Sequence, residues 1–303
     1  MALRPIDNAL PTTLERPKKQ PKVSNAIQKQ PETGVNNENQ APLPTSIDAT
    51  IDYISSENLK PISDPEFKIQ SLVEGLDSKD WMKVCESLND VRRFALYHSS
   101  LLLPILEKVM SVVLKAMKNP RSALCKTSIM TSSDIFNAFG ETLLELPNSN
   151  AFESLLLQLL LKASQDKRFV CEEADRALNS MVKSMAPLLL LHKLHTYVSH
   201  GNLRIRAKAA ISISLCISRM GPEEMLEFGF VSLVQITVNL LNDRLPEATE
   251  AARSIATTIY HSFTEKEEQK HDVWQNFCQA NLPAIHAQSM VKIVSSQLNL
   301  ERQ

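Results

Sequence analysis

The hydrophobic pattern is clearest between residues 150 and 183, where two apolar segments flank a short polar turn. The first segment, residues 152–162, is almost wholly apolar, and Gln165-Asp166-Lys167 follows it. The second places its apolar side chains at steps of four, three, one and three: Val170, Ala174, Ala177, Leu178 and Met181. These steps form one stripe on an α-helix, whereas a strand would alternate at every second residue. Because so few residues join the two helices, they must lie antiparallel as a hairpin.

The same hairpin pattern recurs along the chain. Val170-Cys171 aligns with four other positions, at successive steps of 40, 46, 35 and 42 residues: Val84-Cys85, Leu124-Cys125, Ile205-Arg206 and Glu247-Ala248. Helix pairs with a period of about 40–47 residues are typical of HEAT and armadillo repeats. Two helices per unit, without a short third one, favour HEAT. The pattern predicts an all-α fold, a HEAT-repeat α-solenoid of about six helical hairpins over residues 66–298.

Within each hairpin we name the first helix A and the second helix B. Besides the third pair, the predicted helices cover residues 66–76, 81–95, 102–117, 121–139, 185–198, 203–220, 223–241, 246–263, 265–280 and 283–297. Pro104 falls in a predicted first helical turn, where its missing N–H is tolerated. Gly140 is predicted to end the second B helix as a C-cap.

Composition agrees with a helical protein that buries a large core. Of 303 residues 43% are hydrophobic and only six are Gly, and the formal net charge of −1 requires neither a nucleic-acid nor a membrane partner. Apolar runs stay short of the roughly 18 residues that span a bilayer, and the first residues do not resemble a signal peptide. Five Cys, an odd number, suit packing positions in a reducing compartment better than disulfides. Three of them, Cys85, Cys125 and Cys171, share one helical phase. We therefore expect a cytoplasmic protein, with a nuclear location possible.

Residues 1–65 differ from the rest and are predicted to be a disordered, Pro-rich tail. They hold nine of the sixteen Pro, with six Lys/Arg against two acids up to residue 30 and one Lys against six acids from residue 31. Such a segment buries too little apolar surface to offset its conformational entropy. The basic residues 16–22 are interpreted as a solvated tail, with a nuclear-import signal or an arm for an acidic protein partner as alternatives.

Catalytic chemistry has no support in the sequence. His192 and His195 lie three residues apart on one helix, but no third metal ligand stands at a suitable spacing. Phosphate-binding glycine loops and hydrolase or zinc-protease motifs do not occur. We expect no enzymatic activity, no cofactor and no metal.

The turns between helices A and B form one edge of a solenoid, which we call the turn edge. Residues there are distant in sequence but form a continuous surface. The sequence places a Trp in the first turn and cations in every turn: Trp81, Lys83, Lys118, Arg121, Lys167, Arg168, Arg204, Arg206 and Arg244. Trp and Arg often dominate interfaces, so we interpret this edge as a ridge that binds an acidic protein surface. The alternative is that Trp81 covers the open end of the first hairpin and that the cations have no partner.

Several stretches resemble the TOG domain, a tubulin-binding HEAT module. Residues 78–83 (SKDWMK) resemble the first TOG repeat, and residues 166–178 resemble the third repeat of cytoplasmic linker-associated proteins and crescerins. Residues 202–210 and 246–253 resemble the fourth and fifth repeats. The resemblance implies that Trp81 packs on β-tubulin and that Arg121, Arg168 and Arg204 contact acidic tubulin surface. Many members carry Arg three residues after the Trp, where this chain has Val84.

We therefore expect a non-enzymatic, microtubule-associated protein that binds tubulin or the microtubule lattice through Trp81, Lys83, Arg121, Arg168, Arg204, Arg206 and Arg244. The alternative is a HEAT or armadillo scaffold that assembles a regulatory complex without binding tubulin. A nuclear transport adaptor is a weaker third interpretation, because the helices lack a long acidic inner surface.

Overall fold

A computed structural model describes residues 53–145 and 150–301, and all of them belong to one compact unit. Within these ranges the regular structure is helical, without a β-strand. The predicted all-α fold is therefore confirmed. The predicted tail up to residue 52 lies outside the described residues.

Six consecutive hairpins make up this unit, as the repeat pattern predicts. Three of them contain an A helix that is broken or extended by a short helical piece. In chain order the α-helices are α1 (Pro65–Leu76), α2 (Trp81–Tyr97), α3 (Ser99–Leu102), α4 (Leu106–Met117), α5 (Ser122–Glu145), α6 (Ala151–Ala163), α7 (Arg168–Ser184), α8 (Pro187–Leu194), α9 (Leu203–Ile217), α10 (Pro222–Phe228), α11 (Phe230–Leu241), α12 (Pro246–Phe263), α13 (Lys270–Asn281) and α14 (Ala284–Glu301). Three 3₁₀ helices, Ser56–Asn58, Leu103–Ile105 and His195–Ser199, complete the described structure.

The B helices stack into one layer that carries most of the core. Helix α5 packs between α2 and α7, and α12 packs between α9 and α14. Side chains from neighbouring B helices are fully buried between them, including Leu88, Ile129, Phe136, Ala174 and Ile255. Each hairpin thus buries its apolar face against the next hairpin, as stacked repeats require.

Two predicted A helices are interrupted. Residues 102–117 contain the 3₁₀ turn Leu103–Ile105 around Pro104, because proline cannot donate the backbone hydrogen bond that a continuous helix needs. Residues 223–241 form α10 and α11, which meet at an angle of 81° at Gly229. Gly229 adopts φ 95°, a conformation that side-chain-bearing residues rarely adopt.

The predicted end of the second B helix at residue 139 coincides with a break, but Gly140 lacks the positive φ of a C-cap glycine. The backbone leaves helical geometry at Phe139 and then continues helically to Glu145. A Cβ atom at residue 140 would lie 2.3 Å from the carbonyl oxygen of Ser184, the last residue of α7. Glycine is needed here because the two B helices approach closely.

The cysteines follow the predicted phase with one exception. Cys85 and Cys125 are buried, whereas Cys171 is half-buried and donates its S–H to the Ala163 carbonyl oxygen at 2.9 Å. Burial raises the pKa of Cys85 to about 11 and that of Cys216 to about 12. Reactive cysteines normally have a lowered pKa, so these two act as packing residues.

The described fold includes residues that precede the predicted boundary at residue 65. Residues 53–64, which the sequence assigns to the tail, pack on α2 and α5, and Leu59 is only 2% exposed. Arg92 of α2 donates from Nε to Asp134 Oδ2 of α5 at 2.7 Å and from a terminal nitrogen to the Ile54 carbonyl at 2.8 Å. Both side chains of this ion pair are 1% exposed. Because a buried charge needs partners, this pair fixes the segment before α1. We call residues 53–64 the N-terminal strap.

Candidate functional site

The turn edge is shaped by short polar side chains that cap the B helices. Asp80 accepts a hydrogen bond from the Met82 N–H at 3.0 Å, and Asn202 accepts one from the Arg204 N–H at 2.9 Å. In the second and fifth turns, Asn119 and Asp243 instead accept the N–H of the residue just before the B helix, so they shape the turn without capping the helix. The caps at Asp80 and Asn202 satisfy N–H groups that the helix itself leaves unpaired. They also fix the first residues of the B helices, which carry most of the predicted site.

Trp81 lies at the first residue of α2 and is half-buried against the core. The guanidinium carbon of Arg121 lies 5.4 Å from the centre of the Trp81 ring, within cation–π range. Arg121 itself is exposed at the start of the second B helix. The indole packs on the end of the first hairpin and keeps part of its surface accessible. The two residues form one aromatic and basic patch across two repeats.

Arg206 is partly buried, with its side chain 19% exposed, and is paired within the turn edge. Its Nε donates to Asp243 Oδ2 at 2.6 Å, and a terminal nitrogen donates to the His200 carbonyl at 2.7 Å. The Asp243 side chain is only 3% exposed. Burial would raise the pKa of Asp243, but the hydrogen bond from Arg206 helps to hold it below the ordinary carboxyl value. Arg206 therefore ties the fourth turn to the fifth.

Arg204 is exposed but is paired across the edge. It donates to Asp166 Oδ1 at 2.6 Å and to the Ser164 carbonyl at 3.2 Å, which links the fourth turn to the third. The Arg204 side chain remains 58% exposed. Exposed ion pairs are weak, so this pair contributes little to stability.

The remaining predicted cations, Lys83, Arg121, Arg168 and Arg244, are exposed. Arg168 donates to Glu172 Oε1 at 2.7 Å on the surface of α7. Beside it Phe169 is 42% exposed, and Lys167 Nζ reaches Ser122 Oγ of the second turn at 3.4 Å. The first three turns thus expose cations beside the acids Asp77, Asp80 and Asp166, together with two partly exposed aromatic side chains, Trp81 and Phe169.

Sequence reasoning missed the ion pairs that neutralise Arg204 and Arg206. A signal for them exists: Asp166 and Arg204 lie 38 residues apart, and Arg206 and Asp243 lie 37 apart. Both separations are close to one repeat, so each pair joins equivalent turns of adjacent hairpins. Phe169 is not among the predicted contacts, although exposed aromatic residues are common interface anchors.

Elsewhere in the described residues, no cluster of three or more His, Cys, Asp or Glu side chains is placed to hold a metal ion. The ring of His192 lies 4.8 Å from that of Phe228, centre to centre, and so the histidine is engaged in packing. No single helix in the described ranges is long and apolar enough to cross a membrane; α10 and α11 together meet the length and composition test but are bent.

Comparison with solved structures identifies the fold of these hairpins. A TOG domain from C. elegans matches with a TM-score of 0.56 at 15% identity, over 80% of this chain and 91% of that one. The MAST/Orbit N-terminal domain matches with a TM-score of 0.51 at 15% identity, over 80% of this chain and all of the other. A structure from work on the crescerin TOG array, which regulates microtubules in the primary cilium, gives 0.53 at 12% identity, over 80% and 91%. The described residues therefore form a HEAT-repeat solenoid with the TOG-domain fold.

Sequence comparison finds relatives with the same name from two organisms. TOG array regulator of axonemal microtubules protein 1 from Mus musculus is 28% identical over 182 residues, which cover 60% of this chain and 10% of the relative. The Homo sapiens protein of the same name is 27% identical over the same length. The chain thus spans about a tenth of the length of the curated relatives it matches. No protein-family model matches. Fold and sequence together support a TOG domain of the crescerin type.

Proposed function

We propose that this chain is a non-enzymatic, microtubule-associated protein that binds tubulin through the first three turns of the turn edge. The observation that carries the proposal is the patch of Trp81 and Arg121, which lies on a TOG-type solenoid beside the exposed Lys83. In this assignment Trp81 is the apolar anchor, and Lys83, Arg121 and Arg168 contact acidic surface. Association with the microtubule cytoskeleton of the cytoplasm follows from that partner.

The charge distribution of the turn edge supports this assignment. The acids Asp166 and Asp243 are engaged by Arg204 and Arg206, so they offset cations of the fourth turn. Lys83 and Arg121 are exposed close to Trp81, where a basic surface and an aromatic anchor act together. Positive surface steers an acidic partner, and a partly exposed Trp supplies contact area at the centre of the interface.

Charge reversal tests the proposal directly. Replacing Arg121→Glu together with Arg168→Glu places like charges against an acidic partner, so tubulin binding should weaken by roughly tenfold or more at physiological salt. Both side chains are exposed, so the melting temperature should change little. Co-elution with purified tubulin and thermal melts should be measured side by side.

The matched control reverses two exposed lysines at the opposite edge of the hairpins, Lys183→Glu with Lys266→Glu. It changes net charge by the same amount and should leave tubulin binding intact. Equal binding by the control and by the Arg121/Arg168 variant would contradict the proposed surface. Absence of binding by the unmodified chain would reject tubulin as the partner and leave the scaffold interpretation.

A further inference from the structure

A groove of about 560 Å³ lies beside Trp81, between the end of α1 and helix α4. It exists because α1 packs on α2 and α3, whereas α4 packs on α5 and α6. The two A helices leave space between them at the end nearest the turn edge. Apolar side chains line this space, among them Leu76, Val84 and Val112. An apolar lining with an open mouth is what a ligand-binding groove requires.

The rim of this groove is basic. Lys79, Lys108 and Lys115 border it, and Asp77 is the one acid among the described residues that line it. Lys108 Nζ lies 2.8 Å from Asp77 Oδ1, with the two side chains 46% and 53% exposed. The Asp77 carboxylate therefore already shows how an anionic group binds at this rim. Because the pair is exposed, a carboxylate from another molecule can replace Asp77 at low cost.

We propose that the groove binds an acidic linear peptide segment of a partner protein. One large apolar side chain of the segment enters the space between α1 and α4, and flanking carboxylates bind Lys108 and Lys115. Trp81 forms the wall of the groove that is nearest the turn edge, where an aromatic ring gives a large contact area. This site goes beyond the proposed tubulin contact and can be tested without tubulin.

The test titrates the full chain into a dye-labelled peptide of four glutamates around a central phenylalanine, with fluorescence anisotropy as the readout. Two control peptides replace the phenylalanine by glycine or the glutamates by lysines. The acidic phenylalanine peptide should bind, and both controls should bind at least roughly tenfold more weakly, since each removes one half of the recognition. Equal binding of either control peptide would overturn the proposal.

Three variants assign the binding to the groove. Ser111 lines it from the exposed face of α4, so Ser111→Trp fills the space and should abolish binding. Lys115→Glu should weaken binding by roughly tenfold, whereas Lys183→Glu, far from the groove, should leave it unchanged. Asp77→Asn removes the competing carboxylate and should strengthen binding by roughly threefold. A gain of affinity cannot come from unfolding, so this variant separates recognition from stability.

Other outcomes would reject the assignment. Unchanged binding by Ser111→Trp, or weaker binding by Asp77→Asn, would show that the peptide binds elsewhere. Sedimentation of the chain alone tests whether a second copy of the chain occupies the groove. A dimer that Ser111→Trp dissociates would identify the occupant as a second copy and overturn the peptide proposal.

Discussion

The two tryptophans of the chain, Trp81 and Trp274, lie in the first and last hairpins. They differ in how deeply they are buried. Trp274 is 0% exposed and lies among the rings of Tyr260, Phe263 and Phe277. Trp81 is half-buried, with Arg121 over its ring. An indole that keeps an accessible face can serve a partner, whereas a fully enclosed one serves the fold.

Replacing each tryptophan by alanine should separate these roles. Trp81→Ala should weaken tubulin binding by roughly 2 kcal/mol or more, the range of dominant interface residues. Because Trp81 also packs on the first hairpin, some stability should be lost, but less than for Trp274→Ala. The latter empties a fully enclosed site and should cost about 3–5 kcal/mol. Denaturant unfolding and tubulin co-elution of both variants give the comparison. A Trp81→Ala chain that loses as much stability as Trp274→Ala, yet binds tubulin, would make Trp81 a packing residue alone.

Arg206 and Asp243 form an ion pair that joins the fourth turn to the fifth. The contribution of this pair to stability depends on pH. Arg206 holds the pKa of Asp243 below the usual carboxyl value in the folded chain. A lowered folded-state pKa contributes stability above the unfolded-state value, and that stability is lost as pH falls through the folded-state value. Arg206→Ala leaves a nearly enclosed carboxylate without its cation, at a cost of about 3 kcal/mol near neutral pH.

The loss caused by Arg206→Ala should therefore shrink as pH falls through the folded-state pKa of Asp243, because protonation removes the charge that Arg206 pairs. Denaturant unfolding near neutral pH and near pH 3 checks the sign. Arg253→Ala is the matched control, because its partner Glu250 is 68% exposed; an exposed pair contributes only about 0–1 kcal/mol. A loss that stays constant with pH would contradict the role given to Asp243.

At the scale of helices, the spacing of apolar residues predicts the hairpins. The breaks within helices depend on contacts with distant residues, which this spacing does not indicate. The third hairpin and the start of α12 agree with the sequence, since their stripes and flanking turns are local signals. Gly140 looks like a C-cap because glycine often follows a helix, yet its role is set by Ser184 on another helix. Gly229 lies within an apolar run, and nothing in the run indicates a bend of 81°.

The predicted site shows the same division between local and distant information. Turn positions follow from the hairpin pattern, so most of the predicted cations are exposed at the edge. Whether a cation is paired within the edge depends on acids about one repeat away in sequence. Arg206 is paired with Asp243 in this way, whereas Lys83 and Arg121 are exposed. The groove beside Trp81 could not be predicted, because it depends on how α1 and α4 diverge.

Alanine substitutions at three glycines test the helix breaks. Gly140→Ala places a methyl group against the Ser184 backbone and should cost about 1–3 kcal/mol through overpacking. Gly229→Ala meets ordinary space, 3.6 Å from Ser232 Oγ, but φ 95° should still cost about 1–3 kcal/mol. Gly201→Ala meets nothing within 4 Å and should be nearly neutral. Denaturant unfolding of the three variants gives these values. A neutral Gly229→Ala would mean that α10 and α11 can join without the observed bend.

For the whole described unit, the boundary of the fold depends on the N-terminal strap. Arg92 and Asp134 form the most buried ion pair among the described residues. The strap supplies hydrogen-bond partners to both side chains. Ser56 Oγ donates to Asp134 Oδ1 at 2.7 Å, and the Ile54 carbonyl accepts from Arg92 at 2.8 Å. Tyr97 of α2 donates from its hydroxyl to the Leu59 carbonyl at 2.7 Å. The strap thus closes the outer side of the first two B helices.

A chain of residues 65–303 should therefore be much less stable than a chain of residues 53–303. It loses the burial of Leu59 and leaves the Arg92–Asp134 pair with unmet hydrogen bonds, together about 3 kcal/mol or more. For a unit of this size such a loss lowers the melting temperature by about 6–12 °C. Thermal melts followed by circular dichroism measure the difference between the two chains. Within residues 53–303, Leu59→Ala should produce part of the shift, whereas Lys60→Ala, at an exposed neighbouring position, should produce none. Equal melting of the two chains would place the start of the folded unit at residue 65, and the strap would then be dispensable.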